Sequence, residues 1–189
     1  MWNSGAMAII ITGAGSGIGA GLAVSYLEDG FDVLLADLDE AAATEVADAA
    51  AGLPGTAVPV ACDVREPDDV RATVDLALTR FGSITAMVNN AGISVAGHSH
   101  AMELAHWERA VDVNLRGVIH GVHAVLPHMV HAGRGQIVNV ASLAGLVPTP
   151  ALAAYSATKA AVVAMTLSLR AEYSNSGVQV SVVCPGFTD

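Results

Sequence analysis

Short runs of Val, Ile, Leu and Ala alternate along this chain with longer Ala-rich segments whose apolar positions recur at helical spacing. The runs Ala8–Thr12, Asp32–Ala36, Ala57–Ala61, Ala86–Asn89, Gln136–Ala141 and Gln179–Val183 predict strands. They are short and almost continuously apolar, as parallel strands buried on both faces are. Between them the pattern predicts helices at about Gly17–Asp29, Glu40–Ala51, Pro67–Phe81, Glu103–Ala132 and Ala153–Ser176. Pro67 suits a first helical position, where a missing N–H costs nothing. Gly30 and Gly82 follow their helices, where left-handed caps are expected.

Strand–helix alternation of this regularity predicts an α/β fold, a doubly wound parallel sheet with helices on both faces and right-handed crossovers. No repeat, low-complexity tract or linker divides the chain. Residues 7–189 therefore read as one domain, and residues 1–6 as a disordered leader. In such folds ligands lie at the carboxyl ends of the strands, so the chemistry is sought there.

Thr12–Gly19 reads TGAGSGIG, directly after the first strand and at the start of the first helix. A glycine-rich stretch could be a plain turn, but this strand-to-helix context favours a phosphate cradle. Gly13 allows the tight turn, and Gly17 and Gly19 allow close backbone approach. The helix N-terminus offers free N–H groups to a pyrophosphate. Asp37 ends the second strand, eighteen residues after Gly19. A carboxylate there can accept from both ribose hydroxyls of an adenosine and would repel a 2′-phosphate. No Lys or Arg lies in the glycine stretch or beside Asp37 in sequence, so NAD(H) is favoured over NADP(H). Asp63 and Val64 end the third strand, where Asp63 could reach an adenine amino group or cap the turn that follows. Asn89 and Asn90 suit a turn after the fourth strand, and Ala91 and Gly92 leave room for a ribose.

Tyr155 and Lys159, in YSATK, share one helix face at i, i+4 spacing. An ammonium near a phenol favours the phenolate, which suits proton exchange with an alcohol oxygen. The pair alone is a common accident. Ser142 at the end of the fifth strand, Asn114 in a long helix and the Pro185–Gly186 turn after the sixth strand place it in a constellation.

These residues together resemble the short-chain dehydrogenase/reductase family, in its compact rather than extended branch. The matching positions are Thr12-Gly13-x3-Gly17-x-Gly19, Asp37, Asp63-Val64, Asn89-Asn90-Ala91-Gly92, Asn114, Ser142, Tyr155-x3-Lys159 and Pro185-Gly186. The resemblance implies a Rossmann-like sheet of strand order 3-2-1-4-5-6. It implies hydride transfer between NAD(H) and a secondary alcohol or ketone. Tyr155 is then the general acid/base, Lys159 lowers its pKa and binds the nicotinamide ribose, Ser142 orients the substrate oxygen, and Asn114 supports a proton relay. Ser16 and Ile18 would contact the pyrophosphate, and Asp37 and Leu38 the adenosine ribose. Asn90, Ala91 and Gly92 would border the ribose and nicotinamide; Pro185, Gly186 and Thr188 would line the carboxamide. The family usually adds a substrate lid and a seventh strand beyond the Pro-Gly turn. This chain stops at Asp189, which reads as a truncation rather than as a short form with impaired or altered activity. A second reading, an NAD(H)-binding sensor or scaffold protein without turnover, draws on that missing lid.

Charge and composition narrow the partners. A net charge of −10 with only eight Lys and Arg excludes nucleic acid and anionic membrane as expected partners. Cys62 and Cys184 read as buried, unpaired strand thiols. With no secretory signal and no spanning segment, that predicts a cytoplasmic protein. The apolar loop Leu143–Ala153 suggests a small uncharged substrate. His120, His123, His128 and His131 share part of one helix, with no thiolate or carboxylate to complete a metal site, and read as solvated or interface residues. Small apolar residues on the two longest helices, together with the family resemblance, imply a homodimer or homotetramer.

Overall fold

The computed structural model describes residues 8–147 and 149–186. The predicted leader and Thr188 lie outside the described residues. The elements run β1 (Ala8–Thr12), α1 (Gly17–Glu28), β2 (Asp32–Asp37), α2 (Glu40–Ala49), β3 (Ala57–Ala61), α3 (Pro67–Phe81) and β4 (Ile84–Asn89). They continue with α4 (Leu104–Val111), a π-helical turn (Asp112–Arg116), α5 (Gly117–Ala132), β5 (Gly135–Val140), α6 (Ala153–Glu172) and β6 (Val178–Val183). The strands form one parallel sheet in the order β3-β2-β1-β4-β5-β6. The chain therefore reverses direction of growth between β3 and β4. The crevice this opens lies beyond the carboxyl ends of β1 and β4, as in other doubly wound sheets.

Side-chain alternation divides the core. Ile9 and Ile11 point to one face with Val33, Leu35, Ala86 and Val88, under Ala23 and Leu27 of α1 and Ala43 of α2. Ile10, Leu34, Met87 and Ile137 point to the other face, under Val74 of α3, Val122 and Met129 of α5 and Val162 of α6. Burial of this apolar area is the main stabilising term. Two helices cover one face and the α3–α6 group covers the other. Among the described residues, Gln179 and Val183 of β6 are exposed at the edge of the sheet.

Three sequence expectations need correction. The single helix expected over Glu103–Ala132 is interrupted by the π-turn, because the Asn114 side chain is held by backbone outside the helix, as described below. Residue insertions of this kind are frequent at functional sites. Asn89 belongs to the fourth strand, as the expected range Ala86–Asn89 has it, and not to the turn that follows. It is the last residue of β4, 2% exposed, and its amide donates to Asn139 Oδ1 of β5 at 2.8 Å. Asn139 in turn donates to Thr166 Oγ1 of α6 at 3.0 Å, so a buried polar chain ties the two strands to that helix. The last helix ends at Glu172, short of Ser176.

Candidate active site

The glycine turn is a close approach of backbone to backbone. A Cβ on Gly19 would lie 2.0 Å from the Gly13 carbonyl oxygen, so only glycine lets α1 start this near β1. Gly13 itself adopts φ +65°, a left-handed conformation that side chains resist. Two long-range contacts hold the turn. Asp37 Oδ2 accepts from Gly15 N at 2.8 Å, tying the end of β2 to the turn. Asn90 Nδ2 donates to the carbonyls of Thr12 and Gly13 at 2.9 and 3.0 Å. The Thr12 hydroxyl accepts from the backbone N–H groups of Asn90 and Ala91.

One cleft of about 510 Å³ runs along the carboxyl edge of the sheet. It begins at Gly13, Ser16, Gly17 and Ile18 and passes Asp37, Leu38, Asp63 and Val64. It continues past Asn90, Ala91 and Gly92, and ends at Ser142, Tyr155, Lys159, Pro185 and Gly186. The fold thus brings together nearly every site residue expected from the sequence. Gly19 is buried beneath the turn, and Asn114 lies behind the cleft wall rather than on it.

Asp63 is engaged. Its carboxylate accepts from Arg65 N at 3.0 Å and from the Arg65 guanidinium. The Arg65 hydrogen bond, ahead of the opposing cost of burial, holds the Asp63 carboxyl below its ordinary value. The turn cap, one of the two roles read for Asp63 from the sequence, is present, and Asp63 also lines the cleft. Asn90 lines the cleft, but its amide is committed to the glycine turn.

At the far end, Ser142 caps the short 3-10 turn Leu143–Gly145, its hydroxyl accepting from Ala144 N at 3.2 Å. That leaves the hydroxyl proton free to donate to another oxygen. A Cβ on Gly145 would lie 2.7 Å from the Lys159 carbonyl carbon, so this turn packs directly on the backbone of α6. Ser142 and Tyr155 are thereby set by one contact. Lys159 is 3% exposed and donates from Nζ to the Val140 carbonyl at 2.8 Å. Its Nζ lies 5.8 Å from the Tyr155 ring centroid. Burial pulls the lysine pKa down to about 8.

Asn114, fully buried in the π-turn, accepts from Ile93 N at 2.8 Å through Oδ1. Its Nδ2 donates to Ile93 O at 2.9 Å and to Thr158 Oγ1 at 3.3 Å. It pins the chain leaving β4 to the helix that carries Tyr155.

Sequence reading missed Cys62, Arg65, Ile93, Ser94, Arg109, Val113, Val140 and Ala141, which also line the cleft. Cys62, Arg65, Ile93, Val140 and Ala141 adjoin or lie close to motif residues and could have been found by extension. Arg109 carries no local signal.

A parallel sheet with this crossover, a glycine turn at one end of its cleft and a serine, a tyrosine and a lysine at the other define a Rossmann-like oxidoreductase class. The family model for short chain dehydrogenases matches residues 7–189, and the chain belongs to the short-chain dehydrogenase/reductase family. It is 40% identical over 178 residues to a 2-(S)-hydroxypropyl-CoM dehydrogenase of Xanthobacter autotrophicus, covering 94% of this chain and 70% of that protein. It is 36% identical to a cyclohexanol dehydrogenase of an Acinetobacter species, covering 94% and 71%. The crystal structure of a short-chain dehydrogenase/reductase from Burkholderia phymatum in complex with NAD superposes with a TM-score of 0.92 at 36% identity. That match covers 100% of this chain and 68% of the other. The family acts on alcohols and ketones. No helix of the described residues is long and apolar enough to cross a membrane.

Proposed function

We propose that this chain transfers a hydride between NAD(H) and a secondary alcohol or ketone, with Tyr155 as the general acid/base. The observation that carries the reading is that Ser142, Tyr155 and Lys159 line the same cleft as the glycine turn and Asp37. The cleft fits a dinucleotide: a Cβ at Gly19 would obstruct the turn, and the open groove spans the whole strand edge. When bound, the nicotinamide supplies the hydride acceptor or donor.

The residues do the rest. The Ser142 hydroxyl donates to the substrate oxygen and fixes its orientation. In the oxidation direction the Tyr155 oxygen takes the alcohol proton, and in reduction it returns one. Lys159, protonated at neutral pH, holds positive charge 5.8 Å from the Tyr155 ring centroid, at the end of the cleft where that proton is exchanged. Asn114 acts from behind, keeping Ile93 and Thr158 in place. Ser16, Gly17 and Ile18 hold phosphate, and Asp37 and Leu38 the adenosine ribose. Asp63 and Val64 flank the adenine. Asn90, Ala91, Gly92, Pro185, Gly186 and Thr188 border the nicotinamide half. The carboxylate of Asp37 supports NAD(H) over NADP(H).

Exposed Leu143, Leu146 and Val147 beside Ser142 support an uncharged, apolar setting for the reacting carbon. Two free cysteines support a reducing, cytoplasmic setting. Exposed Ile119 and Val130 on α5 and Leu167 on α6 support association into a homodimer or homotetramer through those helices. Residues 7–189 are read as one domain.

Turnover of secondary alcohols with NAD, followed as NADH absorbance, tests the reading. Tyr155→Phe should reduce turnover at least about 100-fold, the scale of a general acid/base, while NADH still binds. Wild-type NADH binding without turnover across a broad alcohol and ketone panel would instead indicate a sensor.

A further inference from the structure

A second cavity of about 450 Å³ adjoins the cleft and shares Ile93, Ser94 and Arg109 with it. Its remaining wall is the segment after β4, from Val95 to Met102, with His98 and His106 among the lining residues. The cavity is built onto the site at two points. Asn114 grips Ile93 by both backbone polar groups. Gly97 N donates at 2.8 Å to the carbonyl of Ala151, just before the helix that carries Tyr155. Ala151 itself holds φ +62°, rare for a non-glycine residue, so this junction is strained as well as bonded.

The lining chemistry is unlike the rest of the molecule. The chain carries eighteen acidic against eight basic residues, yet among the described residues no carboxylate lines this cavity. The polar side chains that line it are those of Ser94, His98, His106 and Arg109, all exposed at its open mouth, among apolar walls. Arg109 forms no ion pair among the described residues, whereas Arg65, the other guanidinium on the cleft, is committed to Asp63. The His98 ring stacks on His100 at 5.8 Å, which limits its freedom. Neutral or charged, an imidazole can donate one N–H. A guanidinium offers a planar fork that matches an oxyanion in two places.

We propose that this cavity is the distal half of the substrate site and receives an anionic group, a carboxylate or sulfonate, on Arg109, with His98 and His106 as additional donors. The substrate is then an alcohol or ketone whose reacting carbon sits in the apolar setting near Ser142 and whose far end is an oxyanion. This rests on the dehydrogenase reading for the identity of the reacting end, but the anion pocket is testable without turnover.

The probes are cyclohexanecarboxylate and its neutral amide, cyclohexanecarboxamide, titrated into the chain and followed by ligand NMR. The carboxylate should bind about threefold more tightly or better, the scale of an exposed ion pair. Arg109→Gln should erase that preference and Arg109→Lys should retain part of it, with circular dichroism checking that both variants are folded. Equal binding of the two probes to the wild type, or an undiminished preference in Arg109→Gln, overturns the proposal. The kinetic arm compares kcat/KM for 4-hydroxycyclohexanecarboxylate and cyclohexanol. A carboxylate preference in binding with no turnover of either alcohol would sink the dehydrogenase reading and leave the anion pocket standing.

Discussion

The buried ammonium of Lys159 donates to the carbonyl oxygen of Val140 at 2.8 Å, joining α6 to the carboxyl end of β5. The contact places a charge where the surroundings disfavour it, since burial lowers the lysine pKa from 10.5 to about 8. Below about pH 8 the folded and unfolded chains both hold this proton, and the folded chain bears the full cost of the buried charge. Between about 8 and 10.5 the unfolded chain holds more protons, so this group's contribution to stability rises with pH across that window. Lys159→Met should therefore melt a few °C higher than the wild type at pH 7. The gap should close as pH rises past the lysine's folded pKa. Turnover should be lost at every pH. Thermal melts of both proteins from pH 7 to 10 give the answer, and equal midpoints at pH 7 would contradict the buried-charge argument.

Asp37 binds the glycine turn through Gly15 N and also lines the cleft. A 2′-phosphate at that position would meet a carboxylate, so NADH should bind about tenfold or more tightly than NADPH. Asp37→Ser should narrow the ratio by removing the repulsion. It should also weaken NADH itself, because Gly15 loses its partner. Fluorescence titrations with both nucleotides measure each effect. Tighter NADPH binding by the wild type would remove the role given to Asp37.

Gly19→Ala asks whether the close approach of α1 to β1 is needed. Its methyl group would meet the Gly13 carbonyl at 2.0 Å, and backbone cannot swing aside as a side chain can. A loss of about 1–3 kcal/mol is expected, together with loss of nucleotide binding. Urea denaturation and NADH titration read the two separately. Wild-type values in both would show that the helix start can shift freely.

Asn114→Leu leaves the backbone N–H and carbonyl of Ile93 without their side-chain partner. An unsatisfied group shut from water costs about 1–3 kcal/mol; Ile93 is half-buried, so a drop in urea midpoint toward the low end of that range per group is expected. Because Ile93 also walls the cleft, KM should rise as well. An unchanged midpoint would mean that water replaces the amide.

The expected strands lie within a residue or two of the observed ones because buried parallel strands are short continuous apolar runs. The glycine turn was legible because strand, glycines and helix are consecutive. Tyr155 and Lys159 were legible because helical periodicity alone puts them on one face. Less could be read where a polar side chain chooses among partners. Asn114 lies in a segment whose pattern is helical, and in the π-turn its amide meets both backbone groups of Ile93, twenty-one residues away. Asp63 is a second such case, since its Arg65 contact needs the turn after β3 to be in place.

The sequence by itself therefore determined the order of elements, the layered α/β class and the set of residues at the strand ends, since each follows from local periodicity, turn chemistry and spacing. The tertiary structure alone decided which partner each of those residues has within the chain. Asn90 bonds the glycine turn, Asp63 bonds Arg65 and Asn114 bonds Ile93. It also carried Arg109, which no local pattern marks, to the mouth of the cleft. The reason is physical. A local pattern sets which face a side chain leaves from, but its partner comes from a distant segment, and only the packed sheet and helices bring that segment within hydrogen-bonding range.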